Sequence, residues 1–389
     1  MHYSGGMPPP AEEEPLRGTV KTVAALGVVA LLAAGCAKPA SSGKTPTAAT
    51  AKFKACMVTD IGGINDKSFN QSSWAGMEAA QSAESNKIHS IYLPSNSSAD
   101  YAKNITAFEN EKCGIIVTVG FLMGPATQSA ALADPKQDFA IVDCSYASFC
   151  LSTKPHPPVA KNIDQLVFNT VQDAFLSGYL AAGMSKTHVV ATYGGAQFGT
   201  VTIYEDGFWD GVQYYNQHHH ANVKVLGWNE KTQKGVFVGG SNPFGDQAAG
   251  ARITNTFISS GADIIFPVAG GDGLGSAAAI KSADANGKHV YMYWVDTDGC
   301  VSAASYCSYF ITSVEKGLAS AVQTAVQDAA NGTFHGGTFV GTLANGGAIL
   351  APFHAPWTTK VPAALQAELK TLAQQIESGA IVPATKSPV

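Results

Sequence analysis

The chain has 389 residues, is 46% hydrophobic and 14% charged, and carries a formal net charge of −5 at pH 7. That length holds one large or two medium domains with a sizeable core. The composition shows no basic excess, which argues against a nucleic-acid partner.

The first element in chain order is a targeting segment. Val23–Ala34 is a twelve-residue apolar run preceded by Arg17 and Lys21. It is shorter than the roughly 20 residues a membrane span needs and reads as the core of a secretory signal. Leu32-Ala33-Ala34-Gly35-Cys36 closes it in a pattern that resembles a bacterial lipobox. Residues 1–36 are therefore expected to form a lipoprotein signal peptide, with Cys36 taking the lipid that ties the protein to the cell membrane. Glu12, Glu13 and Glu14 do not suit a positively charged start, and a later translation start at Val20 would account for them. Residues 37–51 (AKPASSGKTPTAATA) have the composition of a flexible tether. Folding is expected to begin near Lys52.

From there, apolar strand-like runs alternate with helical patterns. Strands are predicted at Ala55–Thr59, Ser90–Leu93, Gly114–Gly120 and Phe139–Asp143, with helices at Phe69–Ala83 and Asp100–Asn110. A second set follows, with strands His188–Tyr193, Val223–Leu226, Asp263–Val268 and Val290–Asp296. Its helices are Gln172–Met184, Tyr204–Tyr215, Ala248–Ser260 and Gly275–Ala285. Alternating β and α implies parallel sheets covered on both faces, wound by right-handed crossovers. The fold class is α/β, with two doubly wound, Rossmann-like lobes joined by a hinge. The late elements are a strand Tyr309–Val314, a helix Lys316–Asn331, a strand Phe339–Leu343 and a helix Pro362–Ser378. They are expected to cross back between the lobes. The first lobe is drawn as 52–168 plus about 312–345, and the second as 169–311 plus about 346–385.

The halves echo each other. CGIIVTVG (Cys113–Gly120) is similar to ADIIFPVAG (Ala262–Gly270), and Asp143 and Asp296 close comparable strands. Open α/β sheets bind ligands beyond the carboxyl ends of their strands. Asp60, Asp143, Gly270 and Asp296 all stand at such ends, so two facing lobes would gather them in one cleft.

Besides Cys36 the chain holds six cysteines: Cys56, Cys113, Cys144, Cys150, Cys300 and Cys307. An even number outside the cytoplasm suggests disulfides, and six allow 15 pairings. Nearness in sequence favours Cys144–Cys150 and Cys300–Cys307, which leaves Cys56–Cys113. No CxxC spacing points to a metal. His218-His219-His220 reads as a solvated loop between a helix ending at Asn216 and the strand from Val223. No metal or cofactor is expected.

The stretch VTDIGGINDKSFNQSSWAGM (Val58–Met77) closely resembles the opening motif of the basic membrane protein family. These are bacterial substrate-binding lipoproteins of ABC importers that include purine nucleoside receptors. Further matching stretches follow in order: FLSGYLAAGMSKT (175–187), YEDGFWDGVQYYN (204–216), SSGADIIFPVAGGDG (259–273), YWVDTDG (293–299) and ITSVEKGLASAV (311–322). The resemblance spans roughly residues 53–345. It implies a type I periplasmic-binding fold, a nucleoside ligand and partner permease and ATPase subunits. It also implies extracytoplasmic, lipid-anchored localisation, and the protein is expected to act as a monomer.

The resemblance further implies that the base is sandwiched between Phe69 and Phe244. Asp60 and Asp143 would meet the base edge, and Gly270, Asp296 and Lys316 the ribose. Tyr204 matches a polar contact of sugar-binding relatives. Asn65, Asp66, Lys67, Ser68 and Asn70 of the same turn, with Gly271, form an outer set of candidates. The chemistry is coherent in itself. Stacking on an aromatic face is worth about 1–3 kcal/mol per base. Ribose hydroxyls both donate and accept, which suits a carboxylate beside an ammonium. A cleft lined by carboxylates disfavours anionic ligands such as nucleotides. Two departures stand out. Asn65-Asp66 replaces the family's acidic pair, and the text around Asn242–Asp246 differs from its usual form.

Each residue also has a plainer role: Phe69 as a staple for its helix, Asp60, Asp143 and Asp296 as caps, Lys316 as a solvated first-turn lysine, and Phe244 as interface packing. Two other functions compete. GGDGLG (270–275) follows a strand, but its spacing is not GxGxxG, and an exported protein has little access to a dinucleotide. No GxSxG, HExxH or Walker motif is present, so no enzyme is expected. The nearer alternative is a binding protein for a pentose or other sugar-like ligand, or a sensor without transport.

Overall fold

The computed structural model describes residues 52–148, 150–151 and 158–389. The signal peptide, Val20, Cys36 and the tether 37–51 lie outside the described residues.

The first elements are β1 (Phe53–Val58), α1 (Phe69–Ala83), β2 (Ile88–Leu93), α2 (Tyr101–Asn110), β3 (Ile115–Val119), α3 (Gly124–Ala133), β4 (Asp138–Val142) and β5 (Ile163–Phe168). Then come α4 (Val171–Met184), β6 (Val189–Gly194), α5 (Gly199–His219), β7 (Lys224–Leu226), β8 (Trp228–Asn229), β9 (Lys234–Gly235), α6 (Gln247–Ser259), β10 (Ile264–Val268) and α7 (Gly273–Ala285). The last are β11 (Tyr291–Asp296), α8 (Gly299–Ser302), β12 (Phe310–Lys316), α9 (Leu318–Asn331), β13 (Gly337–Gly341), β14 (Ala348–Leu350), α10 (Trp357–Lys360) and α11 (Ala363–Glu377).

Two six-stranded sheets carry the fold, in the orders β13-β5-β4-β3-β1-β2 and β14-β12-β11-β10-β6-β7. Apart from antiparallel β14, the pairings within them are parallel. Each sheet reverses direction at its second strand in sequence, between β1 and β3 and between β6 and β10. Those reversals are the topological switch points where open α/β sheets leave a crevice.

Buried β-branched and aliphatic runs explain the central strands. Ile115, Ile116, Val117 and Val119 have no exposed surface, as expected for a strand covered on both faces. Met57, Val117, Met77 and Val322 form one core under α1 and α9, while Ile105, Phe108, Ile116 and Phe139 form another under α2 and α3. In the second lobe, Phe175, Phe208, Phe266 and Leu369 pack on one face of the sheet and Ile265, Ile280, Met292 and Trp294 on the other. Fully burying each such side chain contributes about 1.5–3 kcal/mol. Helices α4 and α5 approach closely because Gly178 faces the backbone of Phe208, where a Cβ would collide.

The chain crosses between lobes three times: between β5 and α4, at Gly317 between β12 and α9, and between β13 and β14. The late elements do return to the first lobe, as α9 and β13. The crossing falls after Lys316, however, because β12 pairs with β11 along Met292–Asp296. Residues 312–316 thus belong to the second sheet, not to the first lobe from about 312.

Other expectations shift. Lys316 ends a strand instead of starting a helix, since Lys316 and Glu315 pair with Ala348 and Ile349 of β14. Helix α5 runs further at both ends than Tyr204–Tyr215. His218 and His219 lie in its last turn, not in a loop, and stack on Tyr214 and Tyr215 at 3.9 and 4.2 Å. His220 closes the helix in the left-handed region at φ 51°. The sequence reading passed over β5, where Asp164 and Gln165 interrupt the apolar run. Gln165 is satisfied there by Thr338 Oγ1 and the carbonyl of Gly337, while its own carbonyl oxygen accepts from the Tyr146 N–H.

Three disulfides join Cys56 to Cys113, Cys144 to Cys150 and Cys300 to Cys307. The first ties β1 to the start of β3. The other two close the loops that follow Asp143 and Asp296.

Candidate ligand-binding cleft

The switch points of the two sheets face one cleft of about 490 Å³ of atom-free space, its mouth included. Its walls include Asp60, Phe69, Asp143, Tyr204, Phe244, Gly270, Asp296 and Lys316. All eight primary candidates are therefore brought together. Of the outer set, Asp66 and Asn70 also line the cleft, whereas Asn65, Lys67, Ser68 and Gly271 do not.

The loop after β1 explains the first wall. Asp60 lies just beyond β1 and accepts from Gly62 N at 3.1 Å and from Asn70 Nδ2 at 2.8 Å. Gly120 lies opposite with φ 105°, and a Cβ there would stand 2.5 Å from the Asp60 carboxylate. Asp66 serves the helix instead. Its oxygens accept from the backbone N–H groups of Ser68, Asn70 and Gln71 at 2.8–3.1 Å, filling donors that open the first turn of α1. That turn presents Phe69 to the cleft. Lys67 adopts φ 60°, and its carbonyl accepts from Trp294 Nε1 of the second lobe at 3.0 Å.

The second wall is a charged cluster. Lys316 Nζ lies 2.5 Å from Asp143 Oδ2 and 3.5 Å from Asp296 Oδ1, and all three groups are buried. Tyr204 donates to Asp296 Oδ1 at 3.3 Å, and Ser68 donates to Asp296 Oδ2 at 2.8 Å. The ammonium also sits 5.2 Å from the Phe69 ring centre and 5.1 Å from that of Tyr204, within cation–π range. Both aspartates hold left-handed backbone, φ 62° at Asp143 and 68° at Asp296. Such conformations for non-glycine residues cluster at functional sites.

Burial dominates the electrostatics. It raises the Asp60 carboxyl above its ordinary value despite the bonds from Asn70 and Gly62. It pushes Asp66 up to about 7 and Asp143 up to about 6, the latter against the pull of Lys316. Burial alone would lower Lys316, but Asp143 and Asp296 together hold it above its usual range.

Sequence reasoning missed Phe121, Thr200, Val201, Val268 and Val295, which complete the lining. Phe121 was reachable, because it stands just beyond the carboxyl end of β3, as Gly270 does beyond β10 in the echoed stretch. It meets Phe198 across the cleft at 4.4 Å between ring centres and Phe244 at 6.4 Å. Thr200 carries no such signal. Thr200 Oγ1 and Asn70 Oδ1 are buried without a hydrogen-bond partner, so the cleft keeps polar capacity for a guest.

The profile of a family described as ABC transporter substrate-binding protein PnrA-like (Bmp) matches residues 53–381. The chain belongs to this family. It is accordingly an extracytoplasmic solute-binding protein of the ABC-transporter class and not an enzyme. It is 30% identical over 335 residues to the ABC transporter nucleoside-binding protein BmpA of Lactococcus lactis subsp. cremoris, covering 83% of this chain and 88% of that protein. It is 27% identical over 288 residues to basic membrane protein A of Borreliella burgdorferi, covering 74% of this chain and 75% of the other. Among solved structures, a solute-binding protein from Aeropyrum pernix K1 superposes with a TM-score of 0.72 at 21% identity, covering 85% of this chain and 94% of that one. That likeness places the two-lobe fold among solute-binding proteins. No helix among the described residues is long and apolar enough to cross a membrane.

Proposed function

We propose that this Bmp-family protein binds a purine nucleoside between its lobes and delivers it to an ABC permease, held at the membrane by lipid on Cys36 and acting as a monomer. The observation that carries the ligand class is the pairing of two surfaces in one cleft. Aromatic faces from Phe69, Phe244 and Phe121 lie beside a buried Asp143–Lys316–Asp296 cluster. The first suits a flat base, and the second suits hydroxyls that both donate and accept. Asp60 and the free Asn70 carbonyl oxygen offer acceptors to base N–H groups. Four carboxylates against one ammonium in the lining disfavour phosphorylated ligands. The named ligand class of the Lactococcus lactis relative agrees with this reading.

Binding would act through the closed state. Lys316 to Asp143, Ser68 to Asp296, Trp294 to the Lys67 carbonyl and Phe121 to Phe198 all join one lobe to the other. A ligand touching both walls favours this state by its differential affinity for it, and the permease would read the closed shape.

A thermal-shift screen with purine nucleosides, pyrimidine nucleosides, free bases, nucleotides and pentoses tests the proposal. Stabilisation by purine nucleosides alone is expected, and a shift produced only by pentoses would reject it. Asp296→Ala should abolish nucleoside binding in calorimetry while the chain stays folded. Cys36→Ser should release the protein from the membrane fraction.

A further inference from the structure

Just beyond Asp296 the chain brings together a second, unrelated set of groups. The carboxylate of Asp298, Sγ of Cys300 and the ring nitrogen of His354 all lie within 4.8 Å of one another. His354 Nε2 is 2.6 Å from Asp298 Oδ2. Asp298 Oδ1 accepts from the N–H of Cys300 at 2.9 Å, which fixes the carboxylate as a helix cap and turns its other oxygen to the histidine. Cys300 is bonded to Cys307, so opening that bond would free a second thiol in the same short loop. One sulfur, one imidazole and one carboxylate thus converge from the turn after β11 and the segment after β14. All four residues are half-buried and reachable from solvent.

We propose that Cys300, Cys307, His354 and Asp298 form a redox-gated site for a thiophilic divalent cation such as Zn²⁺. With the disulfide closed, only the His354–Asp298 pair remains to hold a cation. When a dithiol or phosphine reductant opens the disulfide, taking up the oxidation itself, two thiols result. Each loses its proton on binding, so two protons leave per cation, and the metal stays divalent throughout. The set then has the four-donor sulfur, nitrogen and oxygen character of tetrahedral zinc sites. Such sites have metal–ligand distances of about 2.0–2.3 Å, so Asp298, Cys300 and His354, within 4.8 Å of one another, need close by only about 1 Å, with Cys307 brought in by its loop once the bond is open.

The test uses the mature chain, reduced with a phosphine and shown by circular dichroism to remain folded. Co²⁺ is the probe. One equivalent should bind with a thiolate-to-cobalt charge-transfer band, release two protons and be displaced by Zn²⁺. The oxidised protein should show no such band. His354→Ala should weaken binding at least about tenfold, as loss of a ligand group does. Should full reduction unfold the chain, Cys307→Ala frees Cys300 without any reductant and leaves the other two disulfides intact. That variant should take up Co²⁺ through Cys300, His354 and Asp298. Cobalt bound equally by the oxidised chain, uptake unaffected by His354→Ala, or no uptake by either the reduced chain or Cys307→Ala would each overturn the proposal.

Discussion

The turns at Asp143 and Asp296 are one piece of structure used twice. Each follows the fourth strand of a sheet with the same winding, each holds its aspartate in the left-handed region, and each runs into a short disulfide-closed loop. Each is also met by a group from the opposite lobe. The difference lies in what arrives. Asp143 meets the ammonium of Lys316, a full charge at 2.5 Å. Asp296 meets the hydroxyl of Ser68, with Tyr204 and the more distant Lys316 as further partners. Similar backbones thus present a salt-bridged carboxylate on one side and a hydroxyl-bonded one on the other. The second is already arranged as it would be to receive a sugar, and the first as a charge that must be matched.

The largest effect should come from removing the cation the two turns share. Lys316→Met leaves two buried carboxylates without their countercharge, and breaking a buried ion pair in this way costs about 3–5 kcal/mol. Urea unfolding should show that loss, together with loss of nucleoside binding. A loss below about 1 kcal/mol would mean that water reaches the cluster and that the pair behaves as a surface one.

Acidity should separate the turns next. The Asp143 carboxyl is pushed up to about 6 in the folded chain, against an ordinary value of 3.8. Between those values the folded state holds more protons than the unfolded one, so stability is greatest on the acid side and falls as pH rises through about 6. Asp66 at about 7 has the same sign and extends the slope towards neutrality. Asp143→Asn should remove its share, on the order of 2–3 kcal/mol between pH 4 and 7. Denaturant midpoints measured across that range for both proteins check it. An unchanged slope would place the titration elsewhere.

This contrast shows what the sequence could and could not disclose. Asp143 and Asp296 were visible as a matched pair because strand ends follow from continuous apolar runs and from the repeat. Lys316 was placed in the wrong element. Nothing local distinguishes a lysine that ends a strand from one that starts a helix, and the pairing with β14 that decides it comes from more than thirty residues away. Ser68 read as one more loop residue, and its link to Asp296 spans 228 positions. Asp66, in contrast, had a local signal for its real role, an aspartate just ahead of a helical run. The alternation of strands and helices was legible almost throughout. It failed at β5, where the polar residues facing β13 broke the apolar pattern.

Ser68→Ala tests the hydroxyl side of the comparison. A hydrogen bond to a charged group contributes about 1.5–3 kcal/mol, and this one spans the closed cleft. The variant should weaken nucleoside affinity roughly 10- to 100-fold. Because Ser68 also caps no helix through its side chain, the melting temperature of the unliganded chain should move little. A large drop in unliganded stability with unchanged affinity would show that Ser68 supports the fold and not closure.

The smallest effect should come from the contact that resembles neither turn. Phe198 is 39% exposed even in the closed arrangement, yet its ring meets Phe121 of the other lobe at 4.4 Å. An aromatic pair of this kind is worth about 0.5–1.5 kcal/mol beyond the area it buries. Phe198→Ala should therefore raise the dissociation constant only about 2- to 10-fold, mainly by speeding release, because the pair exists only while the lobes are shut. Stopped-flow release kinetics can resolve that. If the change matched or exceeded that of Ser68→Ala, closure would rest chiefly on the aromatic rim, and the polar links at Asp143 and Asp296 would serve the ligand alone. If release were unchanged, the rim would be passive packing, and the two turns would account for closure between them.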